Sequence, residues 1–223
     1  MSRDPSEVGV TKLNSDVSSK PIIMRDSGLP LAQGSYDPSF EKDACGVGFV
    51  ADMKRGKSHS VVEMGLQILL NLDHRGAVGA DPKAGDGCGM LVQIPHRFLS
   101  EECAKLGFTL PAPEQYAVGH LFLPRDPEGL KLCVAIVEKV VADEGLVFLG
   151  WRDVPVDSSC LGESVKPTEP THRQIFIGKS AAIADTDAFE RRLFIIRKVI
   201  SNTIYTLGNA ATKGFYPVSL SAR

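Results

Sequence analysis

The feature that most constrains this chain is a change of character at residue 45. Before it, residues 1–37 are rich in Ser, Asp, Pro and Gly, with one short apolar patch at residues 21–24. Such a stretch cannot bury enough apolar surface to offset the entropy of ordering it. It predicts a flexible leader, or an arm that packs on something larger. A linker, YDPSFEKDA, then runs into Cys45-Gly46-Val47-Gly48-Phe49-Val50-Ala51-Asp52, an apolar run punctuated by glycine. Folding signals are dense from there on. The expected organisation is a leader over residues 1–44 and one domain over residues 45–223.

Within that domain, residues 45–52 read as a buried strand. Ser60-Val61-Val62-Glu63 matches a capping box and predicts a helix to about Asp73, with Val61, Met64, Ile68, Leu69 and Leu72 on its core face. Gly76 suits a left-handed cap after Arg75. Residues 78–87 predict a loop, 89–94 a strand and 97–106 a short helix. A strand over 115–123, an amphipathic helix over 129–143 and a strand over 146–154 follow. Residues 163–173 read as a Pro/Thr-rich connection and 174–177 as a short strand. The last pair is a long helix over 186–207, capped by Asp185 or Thr186, and a strand over 215–221 broken by Pro217. Phe189, Leu193, Ile196 and Ile200 form one stripe of the long helix. Strand pairs and helices together predict an α+β arrangement of packed layers. The chain stops directly after a strand, an ending that reads as that of a fragment.

Charge and cysteine usage exclude several functions. A formal net charge of −2 and a pI near 6.2 give no basic face for nucleic acid. No apolar run approaches the roughly 18 residues that a membrane helix needs, and the first residues lack the apolar core of a secretory signal. Five widely spaced cysteines, none at CxxC spacing, and five scattered histidines suit a reducing cytoplasm without structural zinc.

Taken singly, the candidate residues are ambiguous. Cys45 alone reads as a small buried thiol, and Arg75 alone as a cation complementing a helix C-terminus. Cys88 reads as a packed thiol rather than a second reactive one, His74 as a structural histidine, and Trp151 as core or sheet-edge packing. Gly85-Asp86-Gly87-Cys88-Gly89 lacks both the GxGxxG order and the Walker lysine, so it reads as a tight connection and not a phosphate cradle.

Taken together they change meaning. Asp43-Ala44-Cys45-Gly46-Val47-Gly48-Phe49, then Leu70-Asn71-Leu72-Asp73-His74-Arg75-Gly76-Ala77, then Gly85-Asp86-Gly87-Cys88-Gly89-Met90 and Gln93-Ile94-Pro95-His96, resemble the glutamine amidotransferase domain of glutamate synthase large subunits. Residues 212–221, TKGFYPVSLS, resemble the same family further along.

The resemblance implies an N-terminal-nucleophile fold, a four-layer αββα sandwich present here incompletely. It implies Cys45 as nucleophile, Arg75 close to it and Gly76 in the turn beside them. It also implies that residues 1–44 are a propeptide, because only a terminal Cys45 has a free α-amino group to act as its base. The substrate implied is glutamine, hydrolysed through a γ-glutamyl thioester, with ammonia destined for 2-oxoglutarate. FMN and a 3Fe-4S cluster belong to a later domain of the complete enzyme, with no cofactor expected in these residues. The partners implied are the remaining synthase domains and a small NADPH-oxidising subunit or ferredoxin. An amidotransferase serving a sugar phosphate or phosphoribosyl pyrophosphate, or a non-catalytic domain of the same fold, are the alternatives. The family's oxyanion donors come from an Asn-Gly pair, and this sequence has none. The matching family segment lies downstream of residue 221, so a truncated chain is a simpler account than a lost activity. The 223 residues alone are expected to be inactive.

Overall fold

A computed structural model describes residues 33–34, 46–54, 56–77 and 81–223. The chain divides into two units, Met1–Phe40 and Glu41–Arg223, and the architecture below is that of the second. Most of the expected leader, and Cys45 itself, lie outside the described residues.

The second unit is built on a four-stranded sheet. Its elements are α1 (His59–Asn71), α2 (His96–Lys105), β1 (Tyr116–Leu123), α3 (Pro127–Asp143), β2 (Val147–Asp153), β3 (Thr171–Gly178), α4 (Thr186–Thr206) and β4 (Tyr216–Ser221). The strand order is β2-β3-β1-β4, with every neighbouring pair antiparallel. This is an α+β arrangement, as the patterning predicts.

Alternation along the strands supplies two cores. Ala117, Leu121 and Leu123 of β1 and Ile175 and Ile177 of β3 point to one face, where α3 and α4 cover them. The expected α4 stripe, Phe189, Leu193, Ile196 and Ile200, is buried there together with Ile204. Each such side chain contributes roughly 2 kcal/mol by leaving water. Asp185 caps this helix by accepting from the Ala188 N–H at 2.6 Å. Tyr116 and Phe176 point to the opposite face and meet Leu99 and Cys103 of α2 and Leu110. The buried Arg152 of β2 locks α2 down, reaching Glu102 at 3.2 Å and Gln174 Oε1 at 3.1 Å. Trp151 packs on the first core while its indole N–H donates to Glu138 at 2.7 Å.

Several local expectations are corrected. Residues 46–52 and 89–94 form no strand. Val47, Phe49 and Leu91 are about nine-tenths exposed (89%, 90% and 91%). An apolar run becomes a strand only where a ladder receives its backbone groups, and these runs enter none of the sheet pairings. The capping box is not formed: α1 begins at His59 after Ser58, without a side-chain cap bond. The chain leaves α1 through a 3₁₀ turn, Asp73–Arg75, and Gly76 follows at φ −85, so no left-handed cap is needed. None of α1 is buried, against the expected core face. β3 begins at Thr171, within the stretch expected as a connection. Pro217 stays in β4, an edge strand, beside a register shift at His120/Leu121 of its neighbour. Among the described residues, no helix is long and apolar enough to cross a membrane.

Candidate active site around Arg75

The site is assembled by two glycines lying against α1. A β-carbon on Gly48 would sit 2.5 Å from Ile68 Cγ2, closer than real β-carbons come. One on Gly46 would sit 2.9 Å from Leu72 Cδ2 and 3.2 Å from both Cβ and Cγ of Arg75. Glycine is therefore required for the segment after Cys45 to lie this close to the helix end. The consequence is a specific juxtaposition: the residue next to Cys45 lies so close to the Arg75 stem that one added methyl would touch it. Gly65 lets another segment approach the helix, since a β-carbon there would meet Met90 Sδ at 2.6 Å.

Backbone hydrogen bonds shape the turn that carries Arg75. The Arg75 N–H donates to Leu72 O at 2.8 Å and the Gly76 N–H to Asp73 O at 3.1 Å. The half-buried His74 has Nδ1 3.0 Å from Asn71 O, a local structural bond as expected. Ala77 is bound twice by Asp86: its N–H donates to Asp86 Oδ2 at 3.0 Å and its carbonyl accepts from the Asp86 N–H at 3.1 Å. Sequence reasoning missed this role. The GDG segment was visible, and aspartate is prone to bond nearby backbone, but the partner nine positions back was not. At the other end of the loop, Asp81 accepts from Ser164 Oγ at 2.6 Å. That bond, with the Lys83 N–H second, holds the Asp81 carboxyl below its ordinary pKa.

Of the expected site residues, Arg75 and Gly76 lie in this turn, and Cys45 lies outside the described residues. Cys88 is exposed, not packed, because the segment expected as a strand is irregular. Cys103 and Cys133 are buried, and burial pushes each thiol up to about 11.

Two other places gather polar side chains. His120 Nε2 and His172 Nδ1 are 3.3 Å apart, as diagonal neighbours across β1 and β3. Fifty-two positions separate them, so only the strand register reveals the pair. Burial first, and His172 second, lowers the His120 pKa. Beside it a cleft of about 220 Å³ is bordered by Arg125, Asp153, Ser158, Glu169 and His172. Its charges are matched internally: Arg125 lies 3.7 Å from Glu169, which also accepts from the Ser158 hydroxyl.

Comparison with known proteins identifies the family. The family described as class-II glutamine amidotransferases matches residues 45–223, a match that begins at Cys45. The chain is 42% identical over 195 residues to a glutamate synthase (NADPH) large chain of Bacillus subtilis strain 168, covering 87% of this chain and 12% of that protein. It is 36% identical over 227 residues to a glutamate synthase (NADH) of Schizosaccharomyces pombe, covering 96% and 10%. To ferredoxin-dependent glutamate synthase 2 of a Synechocystis species it is 37% identical over 183 residues, covering 82% and 11%. The chain thus spans 10–12% of the length of these curated relatives.

Proposed function

The chain belongs to the class-II glutamine amidotransferases, and on that premise we propose that it is the ammonia-releasing part of a glutamate synthase, with Cys45 as nucleophile. The observation that carries this reading is the close approach of Gly46 to the Arg75 stem, near enough that an added β-carbon would lie 3.2 Å from it. It brings the two motifs of the resemblance together at one helix end.

The chemistry follows from ordinary acidities. A thiol of pKa near 8.5 is only a few per cent thiolate at neutral pH. A free α-amino group of pKa near 8 on the same residue takes the thiol proton. The sulfur attacks the side-chain amide carbon of glutamine, and the amide nitrogen departs as ammonia with the transferred proton. A γ-glutamyl thioester remains. Water adds to it, glutamate leaves, and the thiol is restored. Arg75, which the resemblance puts close to the nucleophile, would supply positive charge there, and such a charge favours a thiolate. Gly76 accompanies Arg75 in the turn. While residues 1–44 remain attached, the Cys45 nitrogen is an amide and cannot be the base, so their removal is part of the mechanism. In a route that needs no second protein, the Cys45 sulfur attacks the Ala44 carbonyl, the Ala44–Cys45 C–N bond breaks to free the Cys45 amine, and water hydrolyses the resulting thioester to release residues 1–44.

The N-terminal-nucleophile family fold supports a four-layer αββα sandwich, to which this sheet and its helices would contribute one half. No Asn-Gly pair to supply oxyanion donors occurs in residues 1–223. FMN and a 3Fe-4S cluster would belong to a later domain of the complete enzyme. Ammonia would go to 2-oxoglutarate in the same long chain, with electrons from a NADPH-oxidising small subunit or ferredoxin, in the cytoplasm.

An electrophilic glutamine analogue tests the assignment in the full-length, processed protein. Peptide mapping should find the label on Cys45, with none on that peptide in Cys45→Ser. Label confined to the exposed Cys88 or Cys160, with Cys45 unmodified, would overturn it.

A further inference from the structure

We infer that Asp86 is a positioning residue for Arg75, acting through the backbone of Ala77. This rests on the reading of Arg75 as a site residue. α1 leads into the Arg75 turn yet contributes no residue to either core, so the burial that fixes the sheet does not fix the turn. Hydrogen bonds do that work. Two of them, to Leu72 O and Asp73 O, are internal to the turn. They shape it without tying it to the rest of the domain.

One tie to the rest of the domain comes through Asp86. Its Oδ2 accepts from the Ala77 N–H at 3.0 Å, and its own N–H donates to Ala77 O at 3.1 Å. Two bonds to one residue fix both the place and the rotation of the peptide just after Gly76; either alone would leave a hinge. An ionised acceptor makes the stronger kind of bond to an N–H group. The loop is anchored again at Asp81. Ser164 Oγ donates to it at 2.6 Å, and a β-carbon on Gly162 would stand 2.2 Å from Asp81 Oδ2. Ser164 and Gly162 belong to the connection between β2 and β3. A continuous line therefore runs from the sheet's connection through Asp81, Asp86 and Ala77 to Arg75, and so to Gly46. Asp86 touches no reacting atom; it holds a residue that does.

The test is glutamine hydrolysis by the full-length, processed enzyme, with hydrogen exchange of the peptide spanning residues 72–77. Asp86→Ala removes the acceptor and leaves the backbone bond. It should lower kcat/KM by about 10- to 100-fold, the scale of a misplaced catalytic group, and speed that exchange. Asp86→Asn keeps an acceptor oxygen in place and should recover most of the rate, which a merely destabilising substitution would not. Ser164→Ala loosens the far anchor and should shift both readouts the same way by less, and it decides the matter if Asp86→Ala does not fold. Wild-type kcat/KM in Asp86→Ala, or equal loss in Asp86→Asn and Asp86→Ala, overturns the inference. Wild-type kcat/KM in Arg75→Ala instead overturns the reading of Arg75 beneath it, so the two failures are distinguishable.

Discussion

Replacing Gly48 with alanine should disable the site by displacing the segment that follows Cys45. The new β-carbon would lie 2.5 Å from Ile68 Cγ2, where carbon atoms rest at about 3.5–4.0 Å. The overlap is therefore about 1 Å or more. Ile68 sits in a helix, where a β-branched side chain has essentially one χ1 rotamer, so it cannot swing aside. The segment must move instead, carrying Gly46 off Arg75. Overpacking of this kind costs about 1–3 kcal/mol, and a 1 Å misplacement near reacting groups can cost about 100-fold in rate. Steady-state glutamine hydrolysis by the full-length enzyme is the assay, with kcat/KM expected to fall by about 10- to 100-fold. Adding Ile68→Ala removes the offending methyl and should restore most of the loss. Gly46→Ala should be milder, because its closest neighbour, Leu72 Cδ2 at 2.9 Å, ends a side chain that can rotate. Wild-type activity in Gly48→Ala, or a double variant no better than the single, would refute the packing argument.

Two further outcomes follow from the fold. Gly129→Ala should destabilise the domain although alanine favours a helix by about 1 kcal/mol, since its β-carbon would fall 1.8 Å from Ala211 O; a net loss of about 2 kcal/mol or more in denaturant unfolding is expected, and any gain contradicts the contact. His120 is the pH-sensitive element: its folded pKa lies below the ordinary value, so an unfolded chain takes up a proton near pH 6.5 that the folded one refuses. Stability is full above that pH and falls as pH drops toward the folded value. Exchange of the β1 and β3 peptides, corrected for intrinsic rates, should therefore quicken between pH 7 and 5, and His120→Gln should flatten the change.

How legible the fold was depended on whether a segment carried its own partner pattern. α3, α4, β1 and β2 were readable within one or two residues because alternation or a helical stripe marks the face that burial rewards. Residues 46–52 and 89–94 are just as apolar, but apolarity does not reveal whether a neighbouring strand exists, and for these segments none pairs. Thr171, His172 and Arg173 are too polar to read as strand, yet β1 pairs with all three and β2 with Arg173, which imposes it. Of the site, the nearness of the segment after Cys45 to Arg75 was implied by the family resemblance; the glycines at 46 and 48 did not name the neighbour they approach. Asp86 was not, because its bond to Ala77 spans a loop whose closure no periodicity records.

The account stands on a nucleophile that supplies its own base. N-terminal mass analysis of the glutamine-hydrolysing protein isolated from its native host tests this most directly. The first residue should be Cys45 with a free amine. A fully active protein that still begins at Met1 would contradict it.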